Sequence, residues 1–392
     1  AACSHPGLRP FSRGRYAGRM PSPDPSATSI FPRFTLDRGE CDWAAHLLDP
    51  TPVHRAGELT FKREDAFAPL GYGGVNGAKL RNHILLAGRH AERAPGGGIL
   101  YGVPVASPQI PMLGVVARHF GLHAVIALGS SNPKSAMRHE TVRAAAWAGA
   151  RFDFGSKVAY GPALHARQRE LLKGACRGFL SPPASYVESA APVVAEAARA
   201  LVEFHDVAAR QALTVPDHIT DLVIPCGSGN STVGILHGLV KHPPPGLRDI
   251  HLIGIGPSKL DQIEARLRFL GEMTGVDYGV FDPQFDSDLP LFHRNRELYG
   301  GAPPRYRLHF DDLHGKGLVR YDQLCPFHYE GIDFHPTYEG KAMSRLTHNY
   351  PALVRPTTLF WVVGSNPSLS VLAPYLEEAC GPCPTTALEV GS

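Results

Sequence analysis

From about residue 98 the chain alternates short apolar runs with longer stretches whose apolar residues recur at helical spacing. Ile99 to Val105, Ala124 to Leu128 and Arg151 to Phe154 read as strands, and Met112 to Phe120, Ser135 to Gly149 and Ala163 to Gly174 read as the helices that follow them. Strands that hand over to helices in this way predict parallel pairing, because each helix carries the chain back to its starting edge. Further along, the pattern predicts an Ala-rich helix from Ala191 to Arg210, a buried strand at Asp221 to Pro225, a helix at Val233 to Val240 and a strand at His251 to Gly256. Residues 275–320, rich in Pro, Asp and aromatic side chains, predict irregular structure. A helix near 339–348 and a last apolar strand, Thr358 to Val363, complete the pattern.

Composition narrows the classes. A chain of 392 residues can form two domains of ordinary size. With 39 Lys+Arg against 36 Asp+Glu it carries no footprint for nucleic acid or an anionic membrane. No apolar run approaches the roughly 18 to 20 residues of a membrane helix, so a soluble, cytoplasmic protein is expected. Seven cysteines, an odd count without the density of a disulfide scaffold, suit a reducing compartment. Cys380-Gly-Pro-Cys383 has dithiol spacing, but no strand is expected before it and no helix after it. Residues 1–40 lack periodicity and read as a flexible leader, with Met20 as an alternative start; organelle targeting stays open. The 20 histidines show no metal-ligand spacing, so no metal site is expected.

Two small-residue loops carry candidate chemistry. In Gly71-Tyr-Gly-Gly-Val-Asn-Gly-Ala-Lys79-Leu-Arg81, Lys79 stands at the threshold of an apolar helix and is the only lysine between Lys62 and Lys134. An amine at a helix start feels the positive end of the dipole, which favours its neutral, nucleophilic form. Gly227-Ser-Gly-Asn-Ser-Thr232 lies between a predicted strand and a predicted helix. Its backbone N–H groups and hydroxyls make a cup for a monophosphate, and neither nucleotide-binding fingerprint is met.

With these loops in order, the chain resembles the fold type II pyridoxal phosphate enzymes, in the branch of aminocyclopropane-carboxylate deaminase and D-cysteine desulfhydrase. Lys62-Arg-Glu-Asp65 resembles the branch's opening strand, Gly73-Gly74 through Lys79-Leu-Arg81 its lysine loop, and Gly227 to Leu236 its phosphate loop. Glu330-Gly-Ile-Asp-Phe-His-Pro-Thr-Tyr338-Glu339-Gly-Lys-Ala342 resembles its Glu-Gly-x-x-x-Asp-Pro-x-Tyr-x-Gly-Lys segment. The resemblance spans about residues 50–370.

The resemblance implies an α/β architecture of two domains, each a mostly parallel sheet flanked by helices, with the cofactor in the cleft between them. Residues 41–82 and 186–378 would form the large domain, 83–185 the small one and 379–392 a tail, and the family suggests a homodimer. It further implies pyridoxal 5'-phosphate held covalently by Lys79, with Asn76 beside it and the phosphate on Gly227, Ser228, Gly229, Asn230, Ser231 and Thr232. Glu339 would face the pyridine nitrogen, and Ser365 would reach the ring or phosphate. Lys79, Tyr338 and Ser107 would be catalytic, and Ser107, Gln109 and Lys316 would bind a small amine or amino-acid substrate.

The sequence departs from the family in three places. In the family the lysine follows Gly-Gly-Asn directly, whereas here Gly77-Ala78 stands between Asn76 and Lys79, which requires a three-residue shift; read ungapped, Asn76 would take the lysine's position and the enzyme would be dead. Ala106-Ser107-Pro108-Gln109 replaces a Gln-Ser-Asn-His segment that holds the substrate carboxylate, and Pro108 has no N–H to donate. Gly315-Lys-Gly-Leu318 places Lys316 where the deaminase has a second tyrosine, which argues against cyclopropane ring opening. The first expectation is α-proton abstraction followed by β-elimination, replacement or deamination. Decarboxylation of an amino acid attached to a larger scaffold is the alternative, and a non-catalytic binding module or a dithiol oxidoreductase is a competing class.

Overall fold

The computed structural model describes residues 47–71, 74–93, 95–105, 107–130, 132–154, 162–172, 186–188, 198–256, 260–283, 305–321, 323–364 and 367–383. The leader expected over 1–40, Ala106 and Ser365 lie outside these residues.

The larger sheet contains β1 (Val53–Ala56), β2 (Leu59–Arg63), β7 (Asp221–Cys226), β8 (Asp249–Gly254), β9 (Phe281–Pro283), β10 (Tyr306–Asp312) and β13 (Thr358–Val362). Its order is β1-β2-β13-β7-β8-β10-β9, parallel except for the antiparallel β1–β2 hairpin. The smaller sheet is parallel throughout, in the order β5-β4-β3-β6, from β3 (Gly98–Val103), β4 (His123–Leu128), β5 (Arg151–Asp153) and β6 (Tyr186–Glu188). A hairpin of β11 (Phe327–Tyr329) and β12 (Ile332–Phe334) stands apart. Every residue of β3, β7 and β13 is buried, as expected of parallel strands covered on both faces.

The helices used below are α1 (Ala78–Arg93), α2 (Gln109–His119), α3 (Glu140–Trp147), α4 (Pro162–Leu172), α5 (Ala198–Ala209), α6 (Asn230–Lys241), α7 (Leu260–Thr274), α8 (Glu339–Asn349) and α9 (Leu369–Cys380). Several depart from the sequence expectation. The helix expected at Ser135 to Gly149 is two pieces, a turn at Pro133–Ala136 and then α3. The stretch 275–320 contains β9 and β10; β10 takes its register from β8, and β9 from β10, rather than from apolar runs of their own. Strand β6 joins the smaller sheet although it lies beyond the boundary expected at 185. Leu372 and Leu376 of α9 pack into the core beside that sheet, with α2 and α3. Cys380 therefore closes a helix, where the negative end of the dipole disfavours a thiolate, and burial also raises its pKa. That environment is opposite to that of a redox thiol, and it weakens the dithiol reading.

Among the described residues, no helix is long and apolar enough to cross a membrane. Nor does any group of three His, Cys, Asp or Glu side chains among them stand where it could hold a metal ion.

Candidate active site

Parallel strands bring their carboxyl ends to one edge of a sheet, and helix starts gather there. The chain leaving β13 (Val363, Gly364) and the chain leaving β7 (Pro225, Gly227, Ser228, Gly229) form one side of a basin. The first turns of α1 (Lys79), α6 (Ser231, Thr232) and α8 (Glu339), with Tyr338 just before α8, form the rest, together with Pro108 and Met112 at the start of α2. Several helix N-termini thus face one hollow, which favours an anionic ligand.

The inserted Gly77-Ala78 pair brings Lys79 there. Gly77 has φ +92°, and a Cβ on it would lie 2.9 Å from the Val363 carbonyl oxygen; Ala78 donates its N–H to that same oxygen at 3.3 Å. The pair is thus pinned against the exit of β13, and Lys79 rather than Asn76 lines the basin. Two residues further is about 200° round a helix, so Arg81 points away from Lys79. It donates to the carbonyls of Leu47 (2.6 Å) and Asp49 (2.9 Å) and lies 3.7 Å over the Phe67 ring. The Arg of the Lys-x-Arg motif is an anchor behind the helix, and Lys62 is a buried strut that donates to Thr51 O at 2.6 Å.

The Lys79 amine sits 5.1 Å from the centre of the Tyr338 ring. Burial lowers its pKa, opposed by the Glu339 charge. Burial pushes Glu339 up to about 7, and the nearby amides of Glu339 and Gly364 and the Lys79 charge temper the rise. Neither carboxylate oxygen of Glu339 has a partner with hydrogen-bond geometry, although the residue is fully buried. A Cβ on Gly364 would lie 2.4 Å from one of those oxygens, so only glycine lets the chain after β13 pass the carboxylate. Burial raises the pKa of Tyr338 far above the usual value, so its phenol stays protonated.

The other expected residues are placed unevenly. Gly227, Ser228, Gly229, Ser231 and Thr232 line the basin. Asn230 is turned behind the loop, where its Oδ1 accepts a hydrogen bond from the Arg266 guanidinium. Asn76 is half-buried, with its Oδ1 enclosed and unpartnered. Ser107 is buried, and its hydroxyl oxygen accepts the Gln109 N–H at 3.3 Å; Pro108, between them, forms the wall. Lys316 is not at this site. Its ammonium pairs with Asp311 at 2.9 Å in a separate groove walled by His251, His309 and Tyr350, because β10 ends before it and the next turn carries it outward.

The structure supplies the phenol that Lys316 does not. Tyr321, five residues on, is hydrogen-bonded to Tyr338 through its hydroxyl. It is held there by buried Lys341, which donates to the carbonyls of Arg320 (2.7 Å) and Tyr321 (3.1 Å). His335, in the motif's Asp position, lies with its ring tilted at 5.1 Å from that of Tyr338 and is kept neutral, pushed down to about 3 by burial and by Lys79 and Lys341. No local pattern marks Tyr321; only the lysine two residues into α8, aimed back at the loop, connects it to the site. Tyr321→Phe is expected to lower kcat about fivefold to tenfold while leaving the melting temperature nearly unchanged, the loss of one hydrogen bond. Lys316→Ala is expected to leave kcat unchanged, and steady-state kinetics of the two variants check both.

No family model matches the chain. It is 34% identical over 416 residues to the O-seryl-dTMP PLP-dependent decarboxylase of Salmonella phage ViI, across 97% of this chain and 94% of that protein. It belongs to the fold type II pyridoxal phosphate enzymes. The fold agrees with the crystal structure of an ACC deaminase homologue, with a TM-score of 0.56 over 89% of this chain and 97% of that one at 17% identity. The basin of this pyridoxal phosphate enzyme suits its cofactor by its own atoms: the buried carboxylate oxygens of Glu339, without a partner in hydrogen-bond geometry, call for a polar partner, and the Gly227 to Thr232 cup for an anion.

Proposed function

We propose that this pyridoxal phosphate enzyme is a decarboxylase of an amino acid carried on a nucleotide, O-seryl-dTMP or a close analogue. The phage relative, matched over nearly its whole length, supports the substrate class. The observation that carries the reaction is the wall formed by Pro108 and Met112. The resemblance places a carboxylate-binding segment there, yet proline offers no N–H and the methionine side chain no donor. A carboxylate against such a wall is poorly solvated, whereas departing carbon dioxide is uncharged, so the apolar wall favours breaking the bond to the carboxyl carbon.

When bound, pyridoxal phosphate supplies a ring that takes up the electron pair left by that bond. The protein does the rest. Lys79 would hold the cofactor and, once displaced by the substrate amine, return a proton to the α-carbon, which its lowered pKa suits. Glu339 would keep a proton on the pyridine nitrogen, deepening the electron sink. Tyr338, protonated and joined to Tyr321, would orient the amine and carry protons to and from Lys79.

The test is product analysis by mass spectrometry with O-seryl-dTMP. Decarboxylation leaves the amine on the nucleotide and removes one carbon dioxide. The elimination that the sequence put first would instead leave the oxygen on the nucleotide and release the serine carbons as 2-aminoacrylate, which hydrolyses to pyruvate and ammonia. Pyruvate with an amine-free nucleotide would overturn the proposal.

A further inference from the structure

Among the described residues, Lys79 is the only cation lining the basin, and on the proposed function it is committed to the cofactor's aldehyde carbon. The phosphate loop itself contains neither lysine nor arginine, although its ligand is a dianion. A positive charge reaches the loop from behind. Asn230, the first residue of α6, is 9% exposed and accepts a hydrogen bond on its Oδ1 from the guanidinium of Arg266 on α7. Buried His205 of α5 lies near enough to Arg266 for its protonation to be disfavoured by that charge.

We infer that Arg266 is a positioning residue for the cofactor phosphate, supplying through Asn230 the positive charge that the loop lacks. A guanidinium on Oδ1 polarises the amide and fixes its orientation, so the loop's N–H groups meet the phosphate with their geometry already set. Its full charge also adds to the partial charge of the helix end in a region screened little by water. The inference concerns cofactor binding and stands whatever reaction the enzyme performs.

The consequence is specific to the phosphate. Full-length enzyme stripped of cofactor is titrated with pyridoxal phosphate and with pyridoxal, which lacks the phosphate, following cofactor absorbance. Arg266→Met is expected to weaken pyridoxal phosphate at least about tenfold and pyridoxal less than about twofold, with Arg266→Lys restoring most of the loss. Asn230→Ala gives a second reading: it removes the acceptor through which Arg266 acts without adding a charge, and it too should weaken pyridoxal phosphate selectively. In the reconstituted holoenzyme, the ³¹P resonance of the bound phosphate should titrate at higher pH in Arg266→Met than in the wild type. Equal weakening of both ligands, unchanged affinity for both, or an unmoved ³¹P titration would overturn the inference. If Arg266→Met does not fold, Asn230→Ala and Arg266→Lys decide it on the same two ligands.

Discussion

Lys79→Ala is expected to abolish the visible absorbance of the bound cofactor and to lower turnover by at least about 10⁴-fold, because in the proposed mechanism one amine both holds the cofactor and moves the proton. Borohydride reduction of the wild-type holoenzyme should fix the cofactor on the peptide that contains Lys79, and Lys134→Ala should keep the absorbance. The expectation rests on the placement of Lys79 against Tyr338 and Glu339, with Asn76 off the basin wall. A wild-type protein without the absorbance would favour the binding-module reading. An absorbance that survives in Lys79→Ala would move the covalent linkage to another lysine and sink the assignment.

The second large effect is at Glu339, where activity and stability should move in opposite directions. In the proposed mechanism Glu339→Gln removes the charge that would hold a proton on the pyridine nitrogen, and turnover should fall about 10²- to 10³-fold. In the cofactor-free protein the same carboxyl is a burden. Its folded pKa is raised from 4.5 to about 7, so the folded state binds its proton more tightly than the unfolded state does. The stability this gives is complete below pH 4.5 and is lost as the pH rises through about 7. Cofactor-free Glu339→Gln should therefore gain on the wild type by about 3 kcal/mol between acidic pH and pH 8. Denaturant unfolding of both proteins across that range checks it; a difference independent of pH would mean that the carboxyl is solvated.

Much of the fold was legible because its strands are either fully apolar or flanked by small-residue turns. β3, β4, β7, β8 and β13 were found from their apolar runs, and the small-residue turn Gly227 to Thr232 from its place between a strand and a helix. The strands that escaped are those whose pairing is set by a neighbour. β10 reads Tyr-Arg-Leu-His-Phe-Asp-Asp and carries enough polar residues to pass for a loop, yet it pairs along six positions with β8. Helix α7 escaped as well, since its charged residues dilute the apolar stripe that Leu260, Ile263, Leu267 and Leu270 bury against the core.

Within the candidate site the same division holds. Local sequence determined which chemistry is available: an amine and a carboxylate at helix starts, a cup of small residues and a family of enzymes that uses them. Only the tertiary structure decided which side chains meet. It moved Lys316 out to Asp311, drew Tyr321 in through Lys341, and turned Asn230 from the basin toward Arg266. The reason is physical: helix caps and glycine turns are fixed by interactions among adjacent residues. A loop's course, in contrast, depends on partners far along the chain, such as a buried ammonium seeking carbonyl oxygens, which spacing does not encode.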